Sequence, residues 1–382
     1  MAGIGHTGRG PLVGCILLSG ALGTVHAWSI FLESLEARLD AGRGTVSAAY
    51  SLALVAITVA VLVGPRLFSR VSGWAIAALA AGGSVLGLLI AAAATSWWLL
   101  LLGYGMVFGL ANGLGYAFAL QRSAEVNPES AGTALGLTTA AYALGAALAA
   151  ILLDGPTGDH GPANGLRVLA LIVGLAGLAA VFLVGSGRSL VATSRGSVSS
   201  NWWIIGRLWV SYGLAVLAGL MVLGHAAAIV DEAGGPGGTT VAMAGFSSAT
   251  GGVWMSRMAQ SVHQRLLVVL PAATAVALML GGLALGGGDG TVAVAMVAIV
   301  ALSYGAVIAL YPAVVHDRFG VDGYPSAYGR IFTAWGTAGL VGPMGAGLLF
   351  ETNNAYHVPI LLAALAAAGS AVIAGRSSTL SQ

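Results

Sequence analysis

The sequence predicts an all-α membrane protein with twelve transmembrane helices in two pseudo-symmetric six-helix bundles. Of its 382 residues, 58% are hydrophobic and only 7% are charged, and the mean hydropathy is +0.92. A soluble domain has about 25% charged residues, so this chain could not cover a water-exposed surface with polar groups. Apolar runs close to the ~20 residues that a spanning helix needs recur along the chain. Membrane-crossing strands would alternate apolar and polar residues, which these runs do not.

A motif that occurs twice predicts the division into halves. Residues 19–28 read SGALGTVHAW, and residues 218–227, about 200 positions later, read AGLMVLGHAA. His26 and His225 occupy the same place in the two copies. Two half-chains that begin alike indicate a duplicated membrane bundle with a pathway between the copies.

The twelve predicted spans fall into two groups of six around a polar, Ser-rich joint. We expect an N-terminal six-helix bundle at 1–185, a cytoplasmic linker at 186–203 and a C-terminal six-helix bundle at 204–382. Residues 1–27 also resemble a signal peptide, but the apolar run continues to Leu32, so we expect it to be kept as the first span. The predicted spans are 11–32, 46–66, 73–94, 97–119, 130–153, 166–185, 205–230, 238–256, 266–286, 291–314, 328–350 and 356–375.

The distribution of charge orients these spans, because cytoplasmic loops carry an excess of basic residues. With the N-terminus in the cytoplasm, most of the fifteen Arg lie on the cytoplasmic side: Arg9, Arg66, Arg70, Arg122, Arg188, Arg195, Arg207, Arg257, Arg265, Arg318, Arg330 and Arg376. The outer loops then hold only Arg38, Arg43 and Arg167. Most acidic residues lie outside: Glu33, Glu36, Asp40, Asp154, Asp159, Asp231, Glu232, Asp289 and Glu351. We therefore predict a multi-pass protein of the cell (inner) membrane with both termini in the cytoplasm.

A row of glycines marks one face of the fourth span. Gly105, Gly109 and Gly113 recur at every fourth residue. Small residues at this spacing let two helix backbones approach closely in a membrane. The row predicts tight helix packing, and a surface that slides during transport would have the same pattern.

Several stretches resemble the major facilitator superfamily, and within it the oxalate/formate-antiporter and monocarboxylate-transporter-like branch. They are GTVHAWS at 23–29, AGLMVLGHA at 218–226, ALYPAVVHDRFG at 309–320 and YGRIFTAWGTAGLVGP at 328–343. The run from Trp335 to Pro343 is the most specific of them. The resemblance extends over nearly the whole chain. It implies a substrate path between two six-helix halves, alternating access, and small carboxylates as substrates.

This chain differs from the branch at positions where the family usually has a charged residue. Ser69 stands roughly where the superfamily has an Asp after the second span. Gly252 aligns with the Arg that the branch usually places in the eighth span to bind a carboxylate, and Arg330 lies at the cytoplasmic end of the eleventh span. A dianion such as oxalate would therefore be poorly held.

Neutral polar side chains remain as candidates for the site, because the predicted spans place no Arg, Asp or Glu at mid-membrane. The candidate substrate-binding residues are His26, His225, Asn112, Tyr116, Tyr142, Tyr304, Tyr311, Trp254 and Trp335. Asn112 could equally tie the fourth helix to a neighbour. Pro312 and Pro343 would bend the tenth and eleventh spans, since proline removes a helical hydrogen bond. The candidate coupling or gating residues are His26, His225, Glu33, Glu232, Pro312 and Pro343.

The two histidines carry the hypothesis of proton coupling. Glu33 follows His26 by seven residues, and Glu232 follows His225 by the same number. On an α-helix this spacing is two turns on one face, about 10.5 Å. Histidine titrates near pH 6.5, so it could bind a proton and attract a carboxylate. Alternatively, each imidazole only bonds a neighbouring carbonyl. Because the carboxylates stand two turns away, we expect no metal site.

The sequence thus predicts a secondary transporter, not an enzyme, that moves a small organic anion, a monocarboxylate, with protons or a counter-anion. An exporter of apolar or weakly polar molecules is the alternative. No nucleotide-binding loop such as GxxxxGK occurs, so the energy must come from gradients. A net charge of +2 gives no reason to expect nucleic acid as a partner. We expect no cofactor, a lipid bilayer as surroundings and a monomer.

Overall fold

The structure is a computed structural model that describes residues 9–127, 130–153, 156–187, 202–258, 260–285 and 287–378. These residues form fifteen α-helices and no β-strand. The first half contains α1 (Arg9–Leu22), α2 (Leu32–Leu39), α3 (Arg43–Val63), α4 (Pro65–Phe68), α5 (Gly73–Ala92), α6 (Trp97–Leu100), α7 (Gly109–Val126), α8 (Ala131–Leu153) and α9 (Pro156–Leu183). The second half contains α10 (Trp202–Leu223), α11 (Ala226–Glu232), α12 (Gly237–Ser256), α13 (Gln260–Leu285), α14 (Gly290–Asn353) and α15 (His357–Ser378).

Two further helical segments have other hydrogen-bonding patterns. A 3-10 helix, Gly23–Ile30, follows α1, and a π-helix, Leu101–Phe108, joins α6 to α7. Every predicted span is covered by one or more of these helical segments over nearly all of its described residues, so the all-α class is confirmed. Ten described segments are long and apolar enough to cross a membrane. The Gly-, Ser- and Thr-rich α12 and the second part of α14 complete the twelve predicted spans.

The long helix α14 contains two of those spans, 291–314 and 328–350. The indole Nε1 of Trp335 donates a hydrogen bond of 2.9 Å to the hydroxyl of Tyr304, 31 residues earlier. In a straight helix these residues would be about 46 Å apart. The chain therefore reverses direction between them, and we call residues 291–314 the outgoing arm and residues 328–350 the return arm.

The two halves meet along a seam formed by four helices. The second span of each half packs against the fifth span of the other: α3 lies against the return arm of α14, and α12 lies against α8. This reciprocal pairing is what two copies related by a pseudo-twofold axis produce. Most of the linker predicted at 186–203 lies outside the described residues.

The glycine row of the fourth span packs against α3, as the spacing predicts. A β-carbon on Gly113 would lie 2.6 Å from the Cα of Ile57, and one on Gly109 would lie 2.8 Å from the Cα of Ala53. At Gly105 the added atom would meet the Leu52 side chain at 2.8 Å. The fourth span and α3 are therefore in backbone contact at Gly109 and Gly113, which only glycine permits.

Replacement of Gly113 by Val is expected to destabilise the protein by about 1–3 kcal/mol, because the new side chain must push α7 away from the backbone of α3. Thermal unfolding of the purified protein in detergent measures this. Gly82→Val on α5 is the matched control, since a β-carbon there meets nothing within 4 Å. Equal melting temperatures for the two variants would contradict the packing shown here.

Candidate functional site

Both copies of the repeated motif interrupt a membrane helix at their histidine. His26 lies in the 3-10 helix Gly23–Ile30, which follows α1. His225 lies between α10 and α11, with φ −125° and ψ 16° outside the helical region. A 3-10 segment inside a long helix often marks a functional hinge. Interrupted helices at corresponding places in two halves are the feature that best indicates a binding site in transporter folds.

Side chains from the fourth span hold the interrupted backbone of the first. The Asn112 side-chain amide donates to the carbonyl of Leu22 at 2.6 Å, where α1 ends. The Tyr104 hydroxyl donates to the carbonyl of Val25 at 3.1 Å. In a membrane, a backbone carbonyl that leaves the α-helical pattern must find its partner within the protein. The buried Asn112 therefore has a structural role in addition to any contact with substrate.

His26 is the centre of a cluster of aromatic side chains. Its Nδ1 is hydrogen-bonded to the Tyr50 hydroxyl at 2.7 Å, and its ring meets the Tyr142 ring edge-on at 5.5 Å between centroids. The Tyr142 hydroxyl donates to Oδ1 of Asn112 at 2.8 Å, and the Tyr116 ring packs against Tyr142 at 4.3 Å. We call these five residues the imidazole–phenol cluster. The imidazole of His26 is only partly buried.

The second half contributes a phenol and an indole to the same region. Tyr304 on the outgoing arm accepts the hydrogen bond from Trp335 on the return arm, and both side chains are buried. The side chain of Tyr304 lies in the neighbourhood of those of Tyr50 and Tyr142. Phenols from both halves therefore lie in one region, and the substrate-binding roles of Tyr142 and Tyr304 stay predictions.

The remaining candidates are placed differently. Tyr311 shares a hydrogen bond of 2.8 Å with Ser211 of α10, within the second half. Pro312 lies inside the helical outgoing arm of α14. Trp254 lies near the end of α12 and is 41% exposed, whereas Tyr50, Tyr142 and Asn112 of the cluster are buried.

His225 has different surroundings from those of His26. Its side chain is 0% exposed. Nε2 lies 2.8 Å from the carbonyl of Pro343 and 3.4 Å from the hydroxyl of Ser47, while Nδ1 lies 2.9 Å from the hydroxyl of Tyr356. Because a carbonyl can only accept, Nε2 carries a proton and donates it to Pro343. The matched positions in sequence have become two chemically distinct sites.

Glu33 does not share an α-helical face with His26, so that expectation is wrong for the first pair, whereas His225 and Glu232 stand at the two ends of α11. Glu33 belongs to a separate short helix, α2, because the 3-10 helix and a turn at Phe31 intervene. It contacts Arg43 at 3.2 Å. Glu232 ends α11 and is exposed.

Arg43 was expected in an outer loop and is instead the first residue of α3, only 8% exposed. Its Nε donates to Oε1 of Glu36 at 2.7 Å, and NH1 donates to the Tyr356 hydroxyl at 2.9 Å. Sequence reasoning missed Arg43, Glu36 and Tyr356 as a group. Tyr356 lies 313 residues from Arg43, and no local pattern connects them.

Comparison with known proteins gives one curated relative and several solved structures, while no protein-family model matches the chain. The relative is an uncharacterized MFS-type transporter, YhjX, of Escherichia coli K12, 24% identical over 346 residues that cover 85% of this chain and 84% of YhjX. An inward-open structure of the xylose transporter XylE from E. coli superposes with a TM-score of 0.75 at 13% identity, over 95% of both chains. A partly occluded inward-open structure of XylE gives 0.71 at 12% identity, over 96% of this chain and 99% of the other.

The relative is named as an MFS-type transporter, and both solved structures are of a xylose transporter. The structural likeness shows that this chain has the fold of XylE, and the similar proteins are transporters, not enzymes. The oxalate/formate and monocarboxylate branch is a finer assignment that none of these proteins addresses.

A double-mutant cycle of Asn112→Ala and Tyr142→Phe is expected to give a coupling energy of about 0.5–1.5 kcal/mol, because each change removes the hydrogen bond that joins the two side chains. Reversible unfolding in detergent or bicelles measures it. Asn112→Ala alone should cost more than Tyr142→Phe alone, since only Asn112 also bonds the carbonyl of Leu22. Strict additivity would show that the amide and the phenol do not interact.

Proposed function

We propose that this protein is a secondary transporter that moves a small organic anion, a monocarboxylate, together with protons by alternating access between its two halves. The observation that carries the proposal is the paired interruption of the first and seventh spans at His26 and His225, beside the seam. Binding sites of transporters lie where discontinuous helices of two repeats face each other.

The chemistry of the imidazole–phenol cluster supports a singly charged substrate. The polar groups of His26, Tyr50, Tyr142 and Asn112 are hydrogen-bonded to one another or to backbone, and none of these bonds involves an Arg or a carboxylate. Phenol and imidazole groups can donate to one carboxylate. Without a fixed cation they would hold a dianion poorly.

His26 is the proposed proton carrier of this site. It is a partly exposed imidazole with one described hydrogen bond, to the Tyr50 hydroxyl. An imidazole changes charge within the physiological pH range. When protonated it would attract the carboxylate, so proton and substrate would cross together. A counter-anion is the other possible driving ion.

Aromatic side chains around the cluster favour a second candidate, the export of apolar or weakly polar molecules. Trp28 stacks with Tyr50 at 5.9 Å and packs on Tyr104 at 4.6 Å. These rings are buried in this structure, and when exposed by movement of the halves they would contact a neutral aromatic molecule as well as a small acid. The transport assays described next separate the two functions.

Uptake of labelled lactate, formate and oxalate into proteoliposomes, with an imposed inward proton gradient, tests the first function. We expect gradient-dependent uptake of the monocarboxylates and little uptake of oxalate. His26→Gln should lower that uptake at least tenfold and remove its dependence on pH, because the amide cannot be protonated. His357→Gln is the control, since this His is exposed at the start of α15.

Intact pH-dependent uptake in the double variant His26→Gln/His225→Gln would exclude proton coupling through these residues. Absence of carboxylate uptake, together with proton-driven efflux of an apolar dye from the same vesicles, would favour the exporter.

We further propose an inner-membrane location with both termini cytoplasmic, and bundles at 1–185 and 204–382. The distribution of Arg supports this orientation. A C-terminal alkaline phosphatase fusion should be inactive, because alkaline phosphatase needs export to be active. A C-terminal green fluorescent protein fusion should be fluorescent, because this reporter does not need export. An active phosphatase fusion would reverse the assigned sides.

A further inference from the structure

Arg43 is a buried guanidinium at the junction of the two halves. Three of its nitrogens are bonded: Nε and NH2 to both oxygens of Glu36, at 2.7 and 3.0 Å, and NH1 to the hydroxyl of Tyr356, at 2.9 Å. Its guanidinium also lies 4.0 Å from the centroid of the Phe350 ring. Glu36 belongs to the first half, whereas Phe350 and Tyr356 belong to the second. One side chain therefore spans the seam through an ionic group, a phenol and an aromatic face.

The hydrogen bonds from Arg43 continue in one direction into the second half. Arginine can only donate, so the oxygen of Tyr356 accepts from it. The Tyr356 hydroxyl is then free to donate to Nδ1 of His225, and Nε2 of His225 donates to the carbonyl of Pro343 at 2.8 Å. Because Arg43 can only donate and the Pro343 carbonyl can only accept, Tyr356 and His225 between them each have a donor and an acceptor. Such satisfied buried networks define a single arrangement of the groups around them.

The helices beside this network are in backbone contact. A β-carbon on Gly347 of the return arm would lie 2.8 Å from the Cα of Gly44 on α3. The amide of Gly44 donates to Oε1 of Glu351 at 2.8 Å, and the amide of Met344 donates to the hydroxyl of Ser51 at 3.1 Å. The halves cannot separate at this end without breaking the bonds from Arg43, Gly44 and Met344 together.

The contacts of the two histidines show that only His225 takes part in this junction. Its described partners come from both halves: Ser47 from α3, and Pro343 and Tyr356 from the second half. The described hydrogen-bond partner of His26, Tyr50, lies in its own half. The duplicated position thus belongs to the imidazole–phenol cluster in one copy and to the junction in the other.

We propose that Glu36, Arg43, Tyr356, His225 and Pro343 form a latch, the Arg43 latch, that keeps the transport path closed at the end of the seam where α3 begins. Opening this end exchanges the bond between Arg43 and Tyr356 for water and leaves the Arg43–Glu36 pair on the first half. The latch rests on the proposed alternating access. It adds a specific set of residues that determines how often this end opens.

Distances between spin labels on the two halves test the latch directly. Labels at Ala37→Cys on α2 and Thr352→Cys near the end of α14 lie at exposed positions on opposite sides of the junction. The native Cys15 is replaced by Ala. Tyr356→Phe removes the hydroxyl that joins Arg43 to His225 and keeps the ring that packs on Phe350 at 4.7 Å. We expect the ratio of long to short label distances to rise about tenfold, as for the loss of a buried bond to a charged group.

Tyr212→Phe is the matched control. Tyr212 is a fully buried tyrosine of the same half, and within the described residues its hydroxyl has no hydrogen-bond partner. This variant should keep the distance distribution of the parent protein. Glu36→Gln, which leaves the second half untouched and weakens the hold on Arg43, should also shift the population toward long distances.

Parent-like distributions in folded, monodisperse Tyr356→Phe and Glu36→Gln proteins would overturn the latch, as would a parent protein without a short-distance population. If Tyr356→Phe does not fold, Glu36→Gln alone decides. The measurement needs neither substrate nor a proton gradient. A failure of the uptake assays therefore leaves it intact, and its own failure leaves the proposed transport function standing.

Discussion

A membrane helix that is interrupted must satisfy its freed backbone groups within the protein, because lipid offers no hydrogen bonds. The first span of this chain depends on that constraint. Its 3-10 segment is held by Asn112 and Tyr104, which come from the fourth span. These bonds fix where His26 lies and which side chains surround it. The candidate site therefore depends on a contact between two helices that are distant in sequence.

Close approach of helix backbones is the second condition for the site. Glycines place α7 against α3, and they place α12 against the outgoing arm of α14, where β-carbons on Gly251 and Gly305 would overlap the carbonyls of Leu302 and Ser248. Small residues provide this packing because apolar side chains gain little from burial when the surroundings are lipid. The Tyr304–Trp335 pair reaches the seam on helices held in this way.

The two copies of the repeated motif both interrupt a membrane helix, but they differ in backbone form and in chemistry. Both interrupt a helix at a histidine, but His26 faces phenols near the seam, whereas His225 is enclosed by Ser47, Tyr356 and Pro343. A duplicated sequence preserves the local backbone signal. The neighbours in space are supplied by other helices, so equal positions need not have equal roles.

The sequence by itself determined the helical membrane class, the positions of the spans and the glycine face of the fourth span, because hydrophobic length and residue size are local properties. It also placed His26, Asn112, Tyr142 and Tyr304 among the candidates, since polar groups in apolar spans stand out. Only the tertiary structure decided the 3-10 and π segments, the reversal of α14 and the burial of Arg43. Such features depend on partners far away in the chain, as the burial of Arg43 depends on Tyr356, and local sequence patterns do not report these contacts.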